Sequence, residues 1–110
     1  MKPLSHAEAF DRFERWQSSP VTVNFGRQDA GVSFFLQMAT LEVSTSSLLL
    51  EVKESSMVIL HFKETEVTFT ELTNEDIKRE FSRLRPVNPK VKACVGAKFS
   101  NGDFCLVGQE

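Results

Sequence analysis

Phe10, Phe13 and Trp16 recur near the spacing of one helix face, and every residue between them is charged. Ser5 and Glu8 stand three apart just before this stripe. In that arrangement each side chain satisfies an orphan backbone donor of a helix's first turn. Leu4 and Ala9 occupy the positions of a hydrophobic staple, and Ser18-Ser19-Pro20 supplies a stop, so an N-terminal helix is predicted. The apolar period then falls from helical to two. Val21, Val23 and Phe25 alternate with Thr22 and Asn24, predicting a half-buried strand over 21–27, and Gln28-Asp29-Ala30-Gly31 follows as a turn. Val32, Phe34, Leu36 and Met38 share one face of the next strand. Its apolar phase slips between Met38 and Leu41, which predicts a bulge or sharp bend.

Two apolar runs, Leu48 to Val52 and Met57 to Phe62, flank the polar Lys53-Glu54-Ser55-Ser56, a break of hairpin size. The second run is almost wholly apolar, so a central strand covered on both faces is expected there. Val67 and Phe69 form a further strand. Thr73 and Asp76 then repeat the capping box with a shorter acid, and Leu72 with Ile77 repeats the staple. Ile77, Phe81 and Leu84 share one face of this second helix, which Pro86 stops. Asn101-Gly102 matches the preferred pair for a two-residue type I′ turn, in which both residues take positive φ. That turn sets Phe99 opposite Phe104 and Ala97 opposite Leu106. Val91, Ala93, Val95, Ala97, Phe99, Phe104 and Leu106 then share one face.

The order helix, strands, helix, hairpin lacks the repeated crossovers of a parallel α/β fold. A single α+β domain over 1–110 is expected, with a curved, barrel-like antiparallel sheet of about six or seven strands. The helices would pack on the sheet or plug one end. Ten Phe, one Trp and no Tyr agree with this, because Phe has no polar handle and serves best in a dry core. The apolar runs are too short to span a bilayer, and no signal-like stretch follows Met1, so the cytoplasm is the expected compartment.

Charge changes the picture in one place. The net charge is −2, yet residues 42–76 carry eight acids and two bases, whereas 78–98 carry seven bases and one acid. Arg79 and Arg83 are four apart on the second helix, away from its apolar face. Lys90, Lys92 and Lys98 alternate with the apolar set of the hairpin's first strand. Together these five could hold phosphates of a nucleic acid or another polyanion. A solvated face partly neutralised by Glu75 is the competing account, favoured by the negative net charge and by the lack of interleaved aromatics.

Signals for catalysis are weak. The five glycines form no phosphate loop, and neither helix-borne zinc motifs nor calcium loops occur, so no cofactor or metal is expected. Glu64 and Glu66 suit an exposed strand end better than a carboxylate pair in a cleft. In the register above, Cys94 and Cys105 lie four positions apart along the hairpin, roughly 13 Å, too far for a disulfide or a shared metal. His6 is expected in solvent, and His61 as a hydrogen-bonded structural imidazole. A small enzyme using His61 or a cysteine is the third-ranked function. A non-catalytic interaction module comes first, working through a protein partner or a homodimer, with polyanion binding second. No membrane contact is expected.

Overall fold

The computed structural model describes residues 1–27, 33–52, 56–63, 66–80 and 92–110. Its elements are β1 (Lys2–Leu4), α1 (His6–Arg15), β2 (Val21–Arg27), β3 (Ser33–Val43), β4 (Ser47–Val52), β5 (Ser56–His61), β6 (Val67–Leu72), α2 (Asn74–Glu80), β7 (Ala93–Phe99) and β8 (Asp103–Gln109). All strand pairs are antiparallel, in the order β1-β6-β7-β8-β2-β3-β4-β5. The architecture is the expected α+β one with eight strands. The strand beyond the expected six or seven is β1, a three-residue edge piece containing Pro3, too short and too interrupted to show a period.

Both caps form as their sequences predict. The Glu8 N–H donates to Ser5 Oγ at 3.1 Å, while the Ser5 N–H donates to Glu8 Oε1 at 3.0 Å. At α2 the Asp76 N–H donates to Thr73 Oγ1 and the Thr73 N–H donates to Asp76 Oδ2. The Thr73 backbone donor holds the Asp76 carboxyl below the usual carboxylate range. A 3-10 turn, Trp16–Ser18, ends α1, and Gln17 Oε1 accepts the Val43 N–H at 2.9 Å, tying that end to β3. Arg12 reaches Glu71 of β6 at 3.3 Å.

The aromatic stripe of α1 fills the inside of the curved sheet. Phe13 is fully buried between the rings of Phe10, Trp16, Phe62 and Phe69. Phe62 follows β5, yet its ring stacks on Phe99 at 5.8 Å and meets Phe69 at 5.5 Å. The β5 end of the sheet therefore faces β6 and β7 across the core. Backbone pairing does not bridge β1 and β5, so the barrel-like curve is open rather than closed. Residues Gln37 and Met38 of β3 stand against Thr22 alone, since Val23 pairs with Leu36 but Val21 with Ala39. This bulge sits close to the predicted phase slip.

Three expectations are corrected. First, the terminal hairpin turns through Ser100, Asn101 and Gly102, so Lys98 rather than Phe99 opposes Phe104, and Ala97 opposes Cys105. The Gly102 N–H donates to Phe99 O, Gly102 takes φ 95°, and Asn101 Oδ1 accepts the Asp103 N–H. This is the three-residue hairpin geometry, in which the glycine alone needs the left-handed region. The one-residue slip puts Phe104 and Leu106 on the outer face with Leu72, Ile77 and Cys94, against α2. Val91 lies outside the described residues. Second, β5 is an edge strand rather than a central one: Met57 is 62% and Ile59 57% exposed. Third, His6 is packed rather than solvated, stacked on Phe10 at 4.5 Å and edge-on to Phe69, and its Nδ1 is buried without a hydrogen-bond partner.

Candidate functional site

Among the described residues, the edge of β5 combines unpaired backbone with exposed apolar side chains. Backbone direction follows from a single bond. The Phe62 N–H donates to Ser46 O at 2.8 Å, extending the register in which Ser47 opposes His61. Hydrogen-bonded and non-bonded residue pairs alternate along an antiparallel ladder. Leu60, Val58 and Ser56 therefore turn their backbone groups toward β4, and Met57, Ile59 and His61 turn theirs toward the free edge. The Ser47 Oγ to His61 Nδ1 bond of 2.9 Å agrees, because side chains approach more closely in the non-bonded pairs. No described strand pairs with that outward side.

Among the described side chains of β5, the same three residues are the exposed ones. Leu48, Leu50 and Leu60 point into the core and are buried. On the outer face Leu49 is half-buried beside Ile59, and Glu42 and Glu51 border the patch. An unbroken apolar run announced two apolar faces. It carried no sign of which face the fold would leave uncovered.

The expected basic surface is only partly described. Arg83 and Lys90 lie outside the described residues. Arg79 Nη2 donates to Asp76 Oδ1 at 2.7 Å at the start of α2. Lys98 is exposed opposite Thr68 on β6, and Lys92 is exposed just before β7. Six positions separate the two lysines along the strand, roughly 20 Å. Lys92, Lys98 and Arg79 thus form no compact phosphate cradle by themselves.

His61 is exposed and hydrogen-bonded to Ser47, with no third group among its described partners to orient the imidazole for nucleophilic work. Cys94 and Cys105 are free and buried. The corrected register places them on opposite faces of the sheet, Cys94 in the α2 cluster and Cys105 in the α1 core. Burial pushes the Cys94 thiol up to about 12 and raises that of Cys105 as well. Both thiols therefore stay protonated at pH 8, and the thiol is the unreactive form. Neither cysteine is expected to react with a thiol reagent in the native protein, whereas denatured chain should titrate both. Rapid labelling of either native thiol would show that its face of the sheet is open.

Among the described residues no group of three histidine, cysteine or acidic side chains could hold a metal ion, and no helix is long and apolar enough to cross a membrane. Comparison with protein-family models, with curated proteins and with solved structures finds no match.

Proposed function

We propose that this domain is a non-catalytic interaction module that engages another polypeptide through β5. The observation that carries this is the free edge, where Met57 and Ile59 are more than half exposed and present outward backbone groups. Folded proteins usually blunt such an edge with charge, proline, a bulge or a covering segment. From Ser56 to His61 there is no Lys, Arg, Asp, Glu or Pro. Strand addition supplies affinity through the main chain and specificity through alternate side chains.

The test compares wild-type protein with Ile59→Lys and with Lys92→Glu/Lys98→Glu as bait, at low and high salt. Contacts that survive high salt and disappear with Ile59→Lys support the edge. Contacts that fall steeply with salt and disappear with the lysine variant would overturn it in favour of polyanion binding.

A further inference from the structure

We infer that the strand added to β5 is β5 of a second copy, in a twofold antiparallel pair centred on Ile59. This rests on the reading of β5 as the contact edge and names its occupant.

Backbone geometry selects the register. Only Met57, Ile59 and His61 turn their backbone groups outward, so the pairs that exchange hydrogen bonds must be drawn from these three on both copies. With Ile59 opposite Ile59 of the second copy, Met57 falls opposite its His61 and His61 opposite its Met57. Every outward group is then used, in about six hydrogen bonds. Centring the axis on Val58 or on Leu60 leaves one of the three without an outward partner from β5.

Side chains agree with that register. Glu42 opposes Leu49, and Leu49 opposes Ile59, on the outer face. Across the axis this row reads Glu42, Leu49, Ile59, then Ile59, Leu49, Glu42. A continuous apolar stripe forms, with the acids at its two ends. Twofold symmetry brings each residue near the axis against its own kind, so a charged strand would repel itself; β5 holds no Lys, Arg, Asp or Glu. The two Glu42 carboxylates would lie about five strand spacings apart, roughly 24 Å, well beyond the Debye length at physiological salt.

Size sets the strength. A six-residue edge is about 20 Å long and covers less than the roughly 800 Å² per partner of a stable complex. The dimer is therefore expected to be weak and to be populated only at high protein concentration.

Sedimentation equilibrium of the wild type should show 12.4 kDa at low micromolar concentration and a mass rising toward twice that at several hundred micromolar. Ile59→Lys should stay monomeric with an unchanged melting curve. Mild oxidation reads the register, since both native cysteines are buried. Ile59→Cys should trap a covalent dimer, because directly opposed residues lie within disulfide reach. Met57→Cys alone should not, and Met57→Cys/His61→Cys should. Wild-type protein that stays at 12.4 kDa throughout, or cross-linking that ignores position, would overturn the second copy as occupant. The edge itself would still stand if Ile59→Lys removed a heterologous contact, and would fall if that variant kept them all.

Discussion

Phe13→Ala should lower stability by about 3–5 kcal/mol, the usual cost of removing a fully buried aromatic side chain. Domains of this kind are stable by only about 5–15 kcal/mol, so that is a large share of the total. Phe13 is the point where helix and sheet meet: Phe10 reaches it from α1, Trp16 from the 3-10 turn that follows, and Phe62 and Phe69 from opposite ends of the open sheet. Truncation leaves a void among large rings that are themselves anchored elsewhere, so the site cannot collapse to refill it. Phe13→Leu, which keeps most of the volume, should cost roughly half as much or less. Urea denaturation of the three proteins checks this. A Phe13→Ala midpoint equal to wild type would mean that α1 does not plug the sheet.

Gly96→Val should be the most damaging change on the opposite face. A Cβ at Gly96 would lie 2.7 Å from Leu72 Cδ1 and 3.3 Å from Leu106 Cδ2, inside the small cluster that holds α2 to the sheet. The missing side chain matters here because it lets Leu72 lie close against the strand. Gly96→Ala should cost about 1–3 kcal/mol by overpacking, and the valine more, because its methyl groups extend into the same wall. Gly26 makes a useful contrast. A Cβ there would meet the far end of the Phe104 ring at 2.5 Å, but Phe104 is only half-buried and can swing outward. Gly26→Ala should therefore be milder. Hydrogen exchange should show α2 losing protection first in the Gly96 variants. If Gly96→Val melts like wild type, α2 does not pack on β7 as described.

The candidate edge was half legible. Runs such as Met57 to Phe62 and Leu48 to Leu50 announce strands with two apolar faces, and such strands ask for cover that two short helices cannot fully supply. That shortage favours a partner or a second copy that supplies the cover. Which strand would be left at the edge could not be read, because sheet order depends on pairings between distant segments. The continuous apolar run pointed toward the centre of the sheet, yet β5 lies at its margin.

Local chemistry settled the pieces whose causes are local. Both capping boxes, the aromatic stripe of α1, the strand over 21–27 and the bulge near Met38 each depend on neighbours within a few residues, and each is present. The terminal hairpin shows where local information ends. Asn101-Gly102 located the turn, but two- and three-residue loops around it differ by one residue, and that slip exchanges the faces of Phe104 and Leu106. A sheet with one wet face would have specified the register by its apolar alternation. Here α1 covers one face and α2 the other, so Val95, Ala97, Cys105 and Val107 are buried on one side while Cys94 and Leu106 are buried on the other. Only the packing of both helices decides which side each residue takes. The same global packing leaves the outer side of β5 without a neighbour among the described strands, and that side is the edge proposed above as the contact surface.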